Sequence, residues 1–259
     1  MSIDRNRRTT FEETAALFNE ARPGYPAQLV DDVLALAGIP PDGRILEIGC
    51  GPGNATLPYA TRGYHITAVE LGPQLAALAA CNLAPFPRVQ VVNVAFEEWP
   101  LAANAFDLVI SAEAMHWIPP EIGYAKTAAA LKESGSAAFY WNVTPDPQTE
   151  WSRAIEAVYH ELELRNPDNT VTADWLTGAI TENFRASGSF GAVSVRQYAW
   201  SETYTAERYV KLLQTYSAHR DLAADTRERL FTGVRTAIQQ HGGQVLKPYL
   251  TMLFQARVK

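Results

Sequence analysis

The chain of 259 residues predicts an α/β protein, a mostly parallel sheet covered by helices on both faces. Three observations carry this. Short apolar runs rich in β-branched residues alternate with stretches of helical spacing, and the connections between them are short. The first such run ends in "EIGCGPGN", which places three glycines within five positions, 49 to 53. Neither an internal repeat nor a linker interrupts the pattern, which predicts a single domain over 1–259.

The elements follow in order. Residues 11 to 21 and 27 to 37 carry helical spacing, the second closed by Gly38 and the Pro40–Pro41 pair. "RILEIG" reads as a buried strand, "NATLPYATRG" as a helix with Pro58 near its first turn, "YHITAVE" as a strand and "GPQLAALAACNLA" as a helix. "VQVVNVAF" and "FDLVISAEA" continue as strands, "IGYAKTAAALKE" as a helix, then a turn at Gly135 and the strand "SAAFYWN". Five strands separated by helices imply a mostly parallel sheet. Proline and asparagine then punctuate residues 145–190, where "EWSRAIEAVYHELELR" and "ADWLTGAITENFRASG" are amphipathic helical stretches, read as an insertion above the sheet. "AVSVRQYAW" resumes the strand pattern, residues 205 to 241 hold two more helices, and "LKPYLTMLFQAR" is the last strand.

Composition removes several functions. With 22 basic against 28 acidic residues the net charge is −6, which disfavours nucleic acid, a partner held mainly by Lys and Arg on phosphates. Arg5, Arg7 and Arg8, beside Asp4 and ahead of Glu12 and Glu13, read as a solvated tail. No run of 18 apolar residues occurs and no secretion-type apolar segment follows Met1, so neither a membrane span nor export is expected, and a cytoplasmic location is the expectation. Cys50 and Cys81 lack the spacing of a zinc site or redox pair, and no metal is expected.

A strand, a glycine turn and a helix start form the layout by which α/β proteins bind nucleotide-like ligands, because missing Cβ atoms allow close approach and positive φ. A dinucleotide fingerprint requires GxGxxG, yet Asn54 stands in the third glycine's place and that glycine falls at Gly53. What stands is ExGxGxG, with Glu47 ahead of Gly49, Gly51 and Gly53. A carboxylate there suits an ammonium group better than a phosphate. Glu70 ends the second strand 19 residues after Gly51, the offset at which a carboxylate reaches ribose hydroxyls. The ligand implied combines a ribose with a cation.

"EIGCGPGN" and "VEL" resemble the first and second motifs of the class I S-adenosylmethionine-dependent methyltransferases. "ARPGYPAQLVDDVL", "FEEWPLAANAFDLVISAEAMHWI" and "GGQVLKPYLTMLFQARVK" resemble their small-molecule branch, methyltransferase type 11, which includes trans-aconitate methyltransferases. The resemblance covers nearly the whole chain. It implies a Rossmann-like seven-stranded sheet in the order 3-2-1-4-5-7-6, the last strand antiparallel. It also implies a helical lid over 1–40, a cofactor core over 43–144, a helical insertion near substrate over 145–190, and C-terminal helices and last strands over 191–259. The cofactor would be S-adenosylmethionine, with S-adenosylhomocysteine as product. The acceptor would be a small molecule, with a carboxylate among the choices, and the protein a monomer or weak homodimer.

The site residues follow from these motifs. Gly49, Cys50, Gly51 and Gly53 form the cofactor turn, and Glu47 either touches the ligand or accepts backbone N–H groups and holds the turn's shape. Asn54 is a natural cap for the next helix and a candidate contact. Glu70 is placed on the ribose and Leu71 on the adenine as an apolar wall. Phe96 and Glu97 lie where relatives place an aspartate for the adenine amine. Ser111 and Ala112, with Glu113, leave the fourth strand beneath the methionine moiety. Arg22 pairs with a carboxylate of cofactor or substrate, while Tyr25, Trp117, Trp141 and Trp151 wall the acceptor. His116 is a candidate base or acceptor-orienting group, and Arg153 could also orient a carboxylate. Rival readings are a NAD(P)-dependent oxidoreductase, a non-catalytic S-adenosylmethionine-binding protein, and a methyltransferase acting on RNA or protein.

Overall fold

A computed structural model of the chain describes residues 15–259; the Arg5, Arg7 and Arg8 tail and residues 11–14 of the first expected helix lie outside the described residues. Seven strands form one sheet: β1 (Arg44–Ile48), β2 (His65–Glu70), β3 (Val89–Asn93), β4 (Phe106–Ala112), β5 (Leu131–Val143), β6 (Ser194–Thr205) and β7 (Gln244–Arg257). Their order is β3-β2-β1-β4-β5-β7-β6. The first five pair in parallel, and β7 runs antiparallel to both β5 and β6. The chain leaves β1 toward β2 on one side and returns to β4 on the other, so a crevice opens at the carboxyl ends of β1 and β4.

Alternate strand residues point to opposite faces and feed two cores. Leu46, Ile48, Val109 and Phe139 serve one; Ile45, Leu108, Ile110, Ala138 and Tyr140 serve the other. Over the second core lie α2 (Ala27–Ala37), α3 (Thr56–Ala60) and α4 (Pro73–Leu83), the last opened by Pro73, whose missing N–H has no helical partner to lose. The first core is covered by α5 (Pro120–Ala130) and α7 (Ala173–Ser187), through Tyr124, Leu176, Ile180 and Phe184. A third cluster joins α1 (Ala15–Ala21), α6 (Glu150–Glu161), α8 (Ala206–Gln214) and α10 (Ala224–Gln240). Among the described residues no helix is long and apolar enough to cross a membrane.

Four local expectations change. The helix expected from "NATLPYATRG" shrinks to five residues, and Ala55, not Asn54, holds its cap position with no side-chain hydrogen bond. α5 stops at Ala130 because Leu131 already pairs with Phe106; the next pair is Leu108 with Ser136, so residues 132–135 form a bulge inside β5 rather than a turn before it. Ser134 takes the positive φ of 63° in that bulge. The segment after β6 holds three helices, the short α9 (Ser217–Arg220) lying between α8 and α10. The 145–190 stretch divides: α7 packs as an ordinary layer helix, and α6 turns Ile155 and Tyr159 toward the third cluster.

Candidate functional site

A cavity of about 380 Å³ opens at the carboxyl ends of β1, β2 and β4. The glycine turn forms its floor. Gly49 and Cys50 both donate their N–H to the Val69 carbonyl, at 2.8 and 3.2 Å, which pins the turn to β2. Gly51 N–H donates to Glu70 Oε2 and Gly72 N–H to Glu70 Oε1, each at 2.8 Å. The shape-holding role weighed for Glu47 therefore belongs to Glu70. A carboxylate has about four acceptor positions, so anchoring two N–H groups leaves it competent toward ribose hydroxyls.

The three glycines have separate reasons. A Cβ on Gly49 would lie 2.4 Å from the Ala114 Cβ, so its bareness lets the turn pass under the end of β4. Gly51 meets nothing within 4 Å and lines the cavity. Gly53, at φ +94°, would bring a Cβ to 3.0 Å from Leu83 Cδ1; it is packed against α4 and does not line the cavity.

Of the other expected cofactor residues, Cys50, Asn54, Leu71, Phe96, Glu97 and Ala112 line the cavity. Burial pushes the Cys50 thiol well up, so it is neutral. Ser111 does not line it: its buried Oγ donates to the Ile48 carbonyl at 3.0 Å and ties β4 to β1. Glu47 is also away from the wall, fully buried behind the turn.

Arg22 and Tyr25 reach the cavity from the segment between α1 and α2. Arg22 Nε donates to Thr215 Oγ1 at 2.8 Å, and its guanidinium lies over the rings of Phe18 and Tyr216, 4.6 and 4.9 Å from their centroids. Glu113 faces it, Oε2 to Nη1 at 4.0 Å. Glu113 holds a φ of 56°, a costly backbone for a non-glycine residue, and its Oε1 accepts from Asn142 N–H at 2.8 Å. Burial raises its pKa, and Arg22 and the Asn142 N–H oppose that rise.

His116 and Trp117 line the cavity from the 3-10 turn Met115–Trp117. Trp141 does not; it is buried in the core, and its Nε1–H donates to His116 Nδ1 at 3.0 Å. Indole can only donate, so the neutral imidazole carries its proton on Nε2. Burial lowers the His116 pKa to about 4. With one nitrogen accepting and the other protonated, the ring has no lone pair to take a substrate proton: the base role falls, and Nε2–H remains a donor. Trp151 stacks edge-on to Tyr209 at 6.5 Å in the third cluster, and exposed Arg153 bonds the Gln148 carbonyl. Neither lines the cavity, because α6 turns its buried face away from the crevice.

The His116 state is open to measurement. Between about pH 4 and its ordinary value near 6.5 the unfolded chain binds a proton that the folded ring excludes. Stability should therefore fall as pH drops through that window. His116→Asn should make the slope of urea-unfolding free energy against pH shallower. His219, lowered by burial as well, adds a slope of the same sign, whereas the raised carboxyls of Glu47 and Glu113 act in the opposite sense.

The far wall was not foreseen. Thr144, Asp168 of the 3-10 turn Pro167–Asn169, Tyr216 and Tyr249 line it together. Tyr216 Oη donates to Asp168 Oδ1 at 2.9 Å, and the Lys247 ammonium pairs with Asp168 Oδ2. Lys247 is 1 % exposed and lies over the rings of Tyr209 and Tyr249, at 5.6 and 5.4 Å. Burial works against ionisation of Asp168, but Lys247 and Tyr216 outweigh it and hold its carboxyl below the usual range. One signal was present: strand alternation in β7 puts Lys247 on the inward side between Val245 and Tyr249, a position that demands a buried partner.

Residues 45–135 match the family model of the methyltransferase domain. An uncharacterized methyltransferase of Mycobacterium tuberculosis is 27% identical over 228 residues, 83% of this chain and 89% of that protein. A structure from Anaeromyxobacter dehalogenans, described as a candidate type II methyltransferase, superposes with a TM-score of 0.65 at 21% identity, over 91% of this chain and 97% of that one. The Haemonchus contortus phosphoethanolamine N-methyltransferase 2, solved with S-adenosyl-L-methionine, gives a TM-score of 0.54 at 20% identity over 99% of this chain, which spans 60% of that protein's length. The sheet order with its antiparallel β7, the glycine turn beneath β4 and these matches agree: residues 45–135 match a methyltransferase domain, and the chain has the Rossmann-like fold of the class I S-adenosylmethionine-dependent methyltransferases.

Proposed function

We propose that the protein transfers the methyl group of S-adenosylmethionine to a small acceptor enclosed in the cavity, leaving S-adenosylhomocysteine. The observation that carries this reading is the meeting, at the ends of β1 and β4, of a bare-glycine floor, a carboxylate at the end of β2 and a far wall tied together by Tyr216. The residues fit the cofactor. Gly51 offers open backbone, Glu70 stands where ribose hydroxyls are bound, and Leu71 and Phe96 offer apolar surface for adenine with Glu97 beside them. Arg22 and Glu113, opposite charges 4.0 Å apart, match the carboxylate and ammonium of an amino-acid end.

Bound there, the sulfonium supplies a methyl carbon whose leaving group is already activated by its charge. The chain then has to align and dehydrate rather than push electrons. Arg22 and Glu113 hold one end and Glu70 the other. His116 Nε2–H orients an oxygen or nitrogen of the acceptor in line with the methyl, and Trp117 excludes water. A wall holding Asp168, Tyr216, Thr144 and Asn142 offers polar groups suited to a small polar acceptor.

Calorimetry should show one S-adenosylmethionine bound per chain, and incubation with methyl-labelled cofactor and a metabolite extract should yield a labelled small product. No cofactor binding would sink the reading. Binding without transfer to any acceptor would leave only the cofactor half of it.

A further inference from the structure

Glu47 has no part in the cavity wall, yet its carboxyl is buried in an unfavourable setting. It is 0 % exposed on β1, two residues before Gly49, and among the described residues neither carboxylate oxygen has a hydrogen-bond partner of good geometry. Thr56 Oγ1 and Tyr59 Oη of α3, both fully buried, also make no hydrogen bond of good geometry among the described residues, although Thr56 lies near enough to act on Glu47 and Tyr140 near enough to act on Tyr59. Buried polar atoms are nearly always paired, and an unpaired buried charge is costlier still. The titratable and polar groups that act on Glu47 or feel it are Thr56 and Tyr59 from α3, Cys50 from the turn, Glu70 from β2, Tyr25 from the segment before α2 and Tyr140 from β5. None is a cation. Burial, with the like charge of Glu70 added and the Thr56 hydroxyl opposing, pushes the Glu47 carboxyl up to about 8.

Among the described residues no cation faces Glu47, and the cavity is where a counter-charge can arrive. Gly49 and Cys50, the second and third residues after Glu47, line the cavity floor. On the reading above, the molecule seated there changes charge in the reaction: the donor carries a sulfonium and an ammonium against one carboxylate, and the product thioether has lost the sulfonium charge. We propose that Glu47 is a proton-exchanging counter-charge for the methyl donor: protonated in the empty protein, ionised beneath the sulfonium, and protonated again once the methyl group has left.

The balance is simple. On donor binding the Glu47 proton leaves to solvent. In the transfer a lone pair of the acceptor forms the new bond to the methyl carbon, the carbon–sulfur bond breaks with its electron pair remaining on sulfur, any proton on the acceptor atom leaves to solvent, and Glu47 recovers a proton from solvent. The donor is thereby favoured over the product by a group that touches neither, a device against product inhibition. Glu47 is accordingly a positioning residue, acting through charge across the turn.

The test is isothermal titration of S-adenosylmethionine and of S-adenosylhomocysteine into the full chain, in buffers of different ionisation enthalpy, with Glu47→Gln as the isosteric neutral form. Wild type should release more protons per donor bound than the variant, by a fraction approaching one. Its donor affinity should climb by up to about tenfold per pH unit from about pH 6 to about pH 8 relative to the variant. The donor's own α-amine, which titrates near 8, contributes equally to both proteins and cancels. The product should show no such excess. Equal proton release in the two proteins overturns this inference alone, whereas absence of any donor binding overturns the donor reading with it. Should Glu47→Gln fail to fold, the infrared difference spectrum of wild type decides: donor binding should bleach a buried carboxylic-acid band, and an unchanged band refutes the exchange.

Discussion

Lys247→Met should lower the unfolding free energy by about 3–5 kcal/mol, the usual cost of removing one partner of a buried ion pair. The ammonium it deletes is 1 % exposed and is the one cation paired with Asp168 among the described residues, while Tyr216 and Thr144 offer Asp168 only hydroxyls. Methionine fills similar volume, so the loss reports the stranded carboxylate more than a cavity. Asp168→Leu in the Lys247→Met background should recover most of it, since an apolar pair of like size is often neutral or better. The pH dependence has a definite sign. Asp168 titrates lower in the folded chain than in the unfolded one, so its contribution is full above the unfolded carboxylate range and is lost as pH falls through the folded value. Urea titrations of the single and double variants measure both effects. A single-variant loss below about 1 kcal/mol, the scale of an exposed pair, would show that the pair is not buried in solution.

Gly49→Ala is the second large effect. The added methyl would start 2.4 Å from the Ala114 Cβ, and the residue would have to keep a φ of 69°. Left-handed backbone costs an alanine about 1–2 kcal/mol, and relieving overpacking about 1–3 more. Gly51→Ala provides the contrast, since its φ is 55° but nothing lies within 4 Å; only the backbone cost applies to its stability. The two variants should therefore separate by at least about 1 kcal/mol in urea unfolding. Gly49→Ala should also lose S-adenosylmethionine affinity by more than tenfold, because the turn cannot back away without breaking the Gly49 and Cys50 bonds to Val69. Equal stabilities would mean that the turn does not pass beneath β4 as closely as described.

The parts of the molecule that were legible in the sequence are those written in consecutive residues. The strand–turn–helix around 44–60 announces itself through an apolar run and three glycines, and the sheet order followed from family resemblance to the motifs around it. Residues that act by packing from outside such a run misled. Gly53 reads as part of the ligand turn but answers to Leu83 of α4, and Ser111 reads as a site residue but answers to the Ile48 carbonyl. Trp141 was placed at the acceptor and instead holds His116 from behind. The far wall was invisible for a different reason. Thr144, Asp168, Tyr216 and Tyr249 come from four segments and share no spacing; the pairing of β5 with β7 brings the first and last together, and the 3-10 turn and the segment between α8 and α9 add the other two. A lone aspartate in "NPDN" carries no signal of its own; the inward lysine of β7 does, and it names a buried anion without saying which.

Tyr216 joins two segments that never meet in sequence, its ring beneath the Arg22 guanidinium and its hydroxyl on Asp168. Tyr216 is thus a single fastening between the segment that carries Arg22 and the 3-10 turn Pro167–Asn169: displacing either one breaks a contact with the same tyrosine.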